Sequence, residues 1–277
     1  SSVRPTGPGG TIVRADVHAA GIGTPAGIGT PTGTDRAVPG DAAASARETR
    51  VPVTGVRRAM AAAMVRSAFT APHVTEFITV DATRTMRLVR KLRDDPAFAG
   101  LRIGPLLIAT RALLAAVRRH PDINAMWDEQ RQEIVQKPYV NLGVAVAAPR
   151  GLVVPNIKDA HAMPTPGLAA ALSDLVARAR AGTTTPADML GGTVTITNVG
   201  VFGVDTGTPI LNPGETAILA LGAIRLRPWV HRGKVKPRHV TTLALSFDHR
   251  LADGELGSRV LVDIANILEH PKRLTMW

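Results

Sequence analysis

An α/β domain built on a mixed sheet is what this sequence predicts, from three observations. From about Val51 to the C-terminus, apolar residues at helical spacing and alternating strand-like runs succeed one another without a break. Several strand runs follow directly on each other with no helix between them, which argues for a mixed sheet over strict βαβ alternation. Only this region of the 277-residue chain, 45% hydrophobic in composition, carries a core pattern, so one domain is expected at 51–277.

The elements can be justified in order. GVRRAMAAAMVRSA (55–68) has helical character, and HVTEFITVD (73–81) reads as a strand. ATRTMRLVRKLRDD (82–95) is helical again and stops before Pro96. PLLIATRALLAAVRRH (105–120) is a long apolar helix halted by Pro121. YVNLGVAVAA (139–148) and GLVVPNI (151–157) read as two strands joined by a Pro-Arg-Gly turn. GLAAALSDLVARARAG (167–182) is an amphipathic helix closed by Gly182. Strands are expected at 192–200, 216–224 and 240–247, and a last helix at 254–268.

The N-terminal fifth reads differently. Residues 1–20 form a turn-rich piece with a short helical signal near Asp16. Residues 21–49 are rich in Gly, Ala, Pro and Thr, contain GIGTP twice, and are expected to be a flexible linker. They are no dinucleotide fingerprint, because Ala26 stands where the third glycine belongs and no strand precedes them.

Composition excludes several functions. With no cysteine, disulfides, thiolate nucleophiles and cysteine-ligated metal sites are ruled out. No uncharged apolar run approaches the ~20 residues of a membrane span. SSVRPTGPGG has no apolar signal-peptide core, so a soluble, cytoplasmic protein is expected. The net charge of +11 favours a polyanionic partner, which a phosphorylated cofactor satisfies as well as nucleic acid does. Three Trp, one Tyr and five Phe, with no helix-turn-helix or RNA-binding signature, argue against nucleic acid and so against a partner of that kind. There is no G-x-S-x-G, no H-E-x-x-H and no P-loop, so esterase, zinc hydrolase and NTPase chemistry lack support and no metal is expected.

What remains is SFDHRLADG (246–254), where a strand gives way to a helix, and TITN (195–198). His249 suits a general base, since unperturbed imidazole titrates near working pH, but a histidine satisfied by backbone at a strand end has the same signature. Asp253 is equally an N-cap for the last helix. Arg250 is either a surface charge or the partner of a buried carboxylate. Thr197 is either a strand-former or a hydroxyl aimed at an oxyanion.

Taken together, DHRLADG, TITN, TPILNPGETAILALGAI (208–224) and TAPHVTEFITVD (70–81) resemble the catalytic domain of dihydrolipoamide acyltransferases, the E2 components of 2-oxo acid dehydrogenase complexes. The resemblance covers 50–277 and implies a chloramphenicol-acetyltransferase-like fold. TGPGGTIVRADV, within residues 1–20, is similar to the tail of the family's peripheral-subunit-binding domain, with Thr11 in place of a basic residue. A partial helical domain, a linker and an acyltransferase domain are therefore expected, in an N-terminally truncated chain whose docking to E1 and E3 is weakened. No lysine sits in a lipoyl-domain setting, so the lipoyl group is expected on a domain outside this chain.

The resemblance further implies acyl transfer between dihydrolipoamide and coenzyme A. His249 would be the base, Thr197 the oxyanion donor and Asp253 an orienting group salt-bridged to Arg57 or Arg58. The histidine and the hydroxyl would come from different chains of a homotrimer, assembled into a hollow core of about 24 subunits. No coenzyme A ligands are assigned. VTGVRRAM (53–60) and GLVVPNIK (151–158) resemble branched-chain members, so a branched-chain acyl group is favoured. Acetyl or succinyl transfer, or an idle scaffold, are the alternatives.

Overall fold

The structure is a computed structural model that describes residues 11, 48–149 and 151–276. The piece expected at 1–20 and the linker expected at 21–49 lie outside the described residues, apart from residues 11, 48 and 49. The chain divides into two compact units, Ser1–Pro52 and Val53–Trp277, and every element below belongs to the second.

Helix α1 (Gly55–Thr70) leads into strand β1 (His73–Asp81) and helix α2 (Thr83–Arg93). Helix α3 (Pro105–Arg119) starts on a proline, whose fixed φ suits a first helical position, and ends ahead of Pro121. A hairpin, β2 (Ala125–Asp128) and β3 (Glu133–Gln136), follows. The expected strand at 139–148 is divided. β4 (Leu142–Val144) joins the main sheet, while β5 (Val146–Ala148) pairs with β6 (Gly151–Val153) in a separate two-stranded sheet. β7 (Asn156–Ile157) returns to the main sheet. Helix α4 (Thr165–Ala181) ends with Gly182 at φ 71°, where the Gly182 and Thr183 amides bond back to the Ala179 and Arg178 carbonyls. The short helix α5 (Pro186–Met189) precedes β8 (Val194–Asn198), β9 (Ala217–Leu221), β10 (Arg225–His231), β11 (Lys234–Asp248) and helix α6 (Gly254–Glu269).

The main sheet runs β1-β11-β9-β8-β4-β7, with β10 paired to β11. β8 is parallel to both β4 and β9 and the remaining pairs are antiparallel, so the mixed sheet expected from the sequence is present. β11 is the longest strand and serves twice. Its first half pairs only with β10, and from Val240 to Asp248 it pairs with β1. Alternation then divides the sheet's faces. Ile196, Leu219, Leu243, Leu245 and Phe247 belong to the continuous core with α3 and α6, and Leu168, Leu172 and Leu175 of α4 close it. The opposite face carries Thr195, Thr197, Ala220, Ala244 and Ser246. Helix α1 is different from the other long helices, with only Ser67 buried. No described helix is long and apolar enough to cross a membrane.

Gly257 shows how tightly α6 seats on the sheet. A Cβ there would lie 2.4 Å from the fully buried Phe247 ring, which has no room to give. Replacing a helical glycine by alanine ordinarily gains about 1 kcal/mol, whereas overpacking a core costs about 1–3 kcal/mol. Gly257→Ala is therefore expected to lower the thermal midpoint, and a rise would show that α6 can slide on Phe247.

Candidate functional site

His249 sits one residue past β11, in the turn that leads to α6. Asp248 shapes this turn. Its carboxylate, 4% exposed, is gripped by the Arg250 guanidinium at 2.7 Å and 3.0 Å and also accepts the Arg250 amide at 3.0 Å. Its carbonyl accepts the Leu251 and Ala252 amides. This pairing holds the guanidinium pKa above its ordinary value, with the Asp248 hydrogen bonds as the largest cause. Arg250 also lies 5.1 Å over the Trp127 ring and 3.6 Å from Glu129, both on the hairpin at 125–136.

The main chain on the other side of His249 is held as well. The His249 amide donates to Pro72 O, and His73 pairs in register with Asp248. The His73 Nδ1–H donates to Ala71 O at 2.7 Å, because a carbonyl only accepts, and its Nε2 accepts the Leu211 amide at 3.0 Å. Ser67 Oγ donates to Leu211 O. The segments A-P-H-V-T, P-I-L-N-P and D-H-R, distant in sequence, thus meet at one end of the sheet. Out of this clamp the His249 side chain is exposed, its ring tilted against buried Phe247 at 6.2 Å. It borders an open cavity of about 490 Å³ with Gln136, Arg250, Asp253 and Arg259.

Asp253 caps α6, its carboxylate accepting the Leu256 amide at 2.8 Å. No ion pair of Asp253 is found among the described residues of this chain. Arg57 and Arg58 stand exposed in the first turn of α1 and pair with no carboxylate there either.

Thr197 is placed elsewhere. The strand register sets it level with Ala220 and, through β9, with Ala244. His249 is five residues further along β11, roughly 16 Å at about 3.3 Å per residue, and two strands across. Within one chain the two side chains therefore cannot address the same atom.

Thr195, two residues before Thr197, belongs to a buried cluster that sequence reasoning missed. Its Oγ donates to Glu215 Oε2 at 2.6 Å, and Asn212 Nδ2 donates to Thr195 Oγ at 2.9 Å. Gly143 makes the room, since a Cβ there would lie 2.2 Å from that hydroxyl. Burial drives the Glu215 pKa up to about 7, against the lowering pull of Thr195, Asn212 and Lys137. Its sequence signals were an acid leading into the apolar run A-I-L-A-L and its place within TPILNPGETAILALGAI.

With this geometry in place, the comparisons decide the family. The family of 2-oxoacid dehydrogenases acyltransferases (catalytic domain) matches residues 45–276. The chain belongs to it. A curated relative from Bacillus subtilis, the dihydrolipoyllysine-residue acetyltransferase component of a pyruvate dehydrogenase complex, is 36% identical over 229 residues, 83% of this chain and 52% of that protein. The chain spans about half the length of the curated relatives it matches. A solved dihydrolipoamide acetyltransferase from Azotobacter vinelandii, studied for the role of a serine, a histidine and an asparagine in its mechanism, aligns with a TM-score of 0.78 at 30% identity, covering 82% of this chain and 94% of that one. A solved cubic core of a pyruvate dehydrogenase multienzyme complex aligns with the same score, identity and coverage. The α/β fold expected from the sequence is the fold of these acyltransferase cores.

The raised Glu215 pKa has a stability consequence with a definite sign. The folded state holds the proton more tightly than the unfolded chain, so this contribution is complete below about pH 4.5 and is lost as pH rises through about 7. Over that window it amounts to on the order of 3 kcal/mol. Glu215→Gln is expected to flatten thermal midpoint against pH between those limits relative to the parent. Parallel curves for the two proteins would show that Glu215 titrates normally.

Proposed function

We propose that the chain transfers an acetyl group between the thiol of dihydrolipoamide and that of coenzyme A, as the E2 core of a 2-oxo acid dehydrogenase complex. The observation that carries this is the clamped turn that leaves the His249 ring free beside a cavity. The acyl assignment follows the relatives, which are named acetyltransferases. The branched-chain preference suggested by 53–60 and 151–158 gains no support from them. Those segments form the exposed start of α1 and the β6–β7 region, and neither borders the His249 cavity.

In this proposal His249 takes the proton from the attacking thiol, which, like a free cysteine thiol with its pKa of about 8.5, would otherwise be mostly protonated at neutral pH. The thiolate sulfur bonds to the thioester carbonyl carbon and gives a tetrahedral oxyanion. Collapse breaks the bond to the departing sulfur, which takes the proton back from the imidazolium. Thr197 of a neighbouring protomer donates to the oxyanion. A site split between chains accounts for the separation of Thr197 from His249, and the solved cubic core of a relative supports a trimer-based core of about 24 subunits. E1, E3 and a lipoyl domain carried elsewhere are the partners this activity needs.

Asp253 fits the same scheme as a positioning residue. The histidine and asparagine studied in the Azotobacter relative stand four residues apart, as His249 and Asp253 do. An amide therefore serves at that position in a relative, and asparagine caps a helix about as well as aspartate.

Transfer from acetyl-, isobutyryl-, isovaleryl- and succinyl-CoA to free dihydrolipoamide tests the proposal. Acetyl-CoA is expected to give the highest kcat/KM. Preference for a branched acyl group would overturn the acyl assignment, and turnover of none would leave a structural scaffold. His249→Ala should lower kcat by at least about 10²-fold with the assembly intact. Thr197→Ala should lower kcat on the order of 10²–10³ with little change in KM. Asp253→Asn should keep kcat and thermal midpoint near the parent's, whereas Asp253→Ala should cost about 1 kcal/mol of stability through the lost cap.

A further inference from the structure

Glu215 is a carboxylic acid at a position where an amide would make the same bond. It is 8% exposed, and no ion pair of it is found among the described residues. Burying a carboxylate without a cation is costly, whereas glutamine has the same length and accepts the same hydrogen bond with no charge to bury. What the acid adds is strength, since a hydrogen bond to a carboxylate is roughly twice as strong as one to a neutral acceptor.

The bond concerned comes from the fully buried Thr195, whose Oγ donates to Glu215 Oε2 at 2.6 Å. Asn212 donates to the same hydroxyl at 2.9 Å, from a turn closed by the Glu215 amide on Asn212 O. Two glycines box the pair in. A Cβ at Gly143 of β4 would lie 2.2 Å from the Thr195 hydroxyl, and one at Gly192 would lie 2.5 Å from Glu215 Oε1. Glu215 thus fastens β8 through its side chain. The same segment meets the His249 turn through backbone, where the Asp248 amide donates to Thr216 O. Thr197 follows Thr195 by two residues, so both side chains leave β8 on one face, about 7 Å apart. The Thr197 hydroxyl has no hydrogen-bond partner among the described residues, so the strand beneath it sets its position.

Given the shared site of the proposed function, on which this role rests, we propose that Glu215 is a positioning residue for acyl transfer, holding through Thr195 the stretch of β8 that presents Thr197 to the neighbouring protomer. Its influence falls on the reaction at the neighbour's His249 and not on that at the His249 of its own chain.

Mixed assemblies test this. His249→Ala chains supply Thr197 and Thr197→Ala chains supply His249, so each working site in a mixture joins one chain of each kind. Acyl transfer from acetyl-CoA is measured at pH 8, above the Glu215 pKa of about 7, so that the acid is ionised. Glu215→Gln added to the His249→Ala chain should lower the recovered kcat about tenfold with KM changed by less than about twofold, because a small misplacement of a reacting group costs up to about 10²-fold. Added to the Thr197→Ala chain, it should lower kcat by less than about twofold. Should Glu215→Gln chains fail to assemble, Thr195→Val on the same two chains gives the same pair of readings. Equal losses from either chain, a loss only on the Thr197→Ala chain, or no loss at all would overturn the proposal. No recovered activity in mixtures with Glu215 intact would instead refute the shared site, and this role with it.

Discussion

A buried carboxylate has to be neutralised where it stands, and in this fold that requirement shapes the site. Asp248 ends β11 almost out of reach of solvent, and Arg250 closes on it from two residues away. Removing one member of such a pair typically costs about 3–5 kcal/mol, because the other is left uncompensated. The chain between them cannot continue as strand while the pair is made, so it turns, and the residue at the turn's outer edge is His249. The amide bond to Pro72 and the Trp127 ring over Arg250 fasten the turn to β1 and to the β2–β3 hairpin. The His249 imidazole is thus placed by bonds to the backbone and side chains on either side of it, and beyond its contact with Phe247 it stands exposed.

The second constraint is strand register. Once β11 is antiparallel to β9 and β9 parallel to β8, Thr197 and the far end of β11 are separated by the length of several residues. No side-chain rotation closes such a gap. Thr197 and His249 can serve one reaction only if another copy brings its own Thr197 to this chain's His249. Helix α1, with almost none of its surface buried in its own chain, suits a protein whose surfaces are completed by neighbours.

Much of this was legible in the sequence, for reasons that can be named. The D-H-R-L-A-D-G turn was visible because a period of two gives way there to helical spacing, and both patterns report burial. The helices ending at Pro96, Pro121 and Gly182 were visible because backbone chemistry ends them. The β10–β11 hairpin was not. Its strands are charged and exposed, and Pro228 lies directly opposite Pro237, a pairing open to β11 only before β1 joins it. Its one signal was the Arg232-Gly233 turn, both residues at positive φ. YVNLGVAVAA read as one strand because nothing local shows that its two halves pair with different partners. Asp248 and Glu215 were passed over because a lone acid in a strand-like run looks like surface until burial is known.

A mixed-oligomer complementation experiment tests the shared site most directly. His249→Ala chains and Thr197→Ala chains, each inactive alone, are co-assembled in equal amounts and assayed for acyl transfer. If the base and the hydroxyl come from adjacent protomers, some interfaces unite an intact His249 with an intact Thr197, and about a quarter of the parental activity should return. Activity that stays at the level of the separate variants, in assemblies shown to contain both chains, would contradict the account.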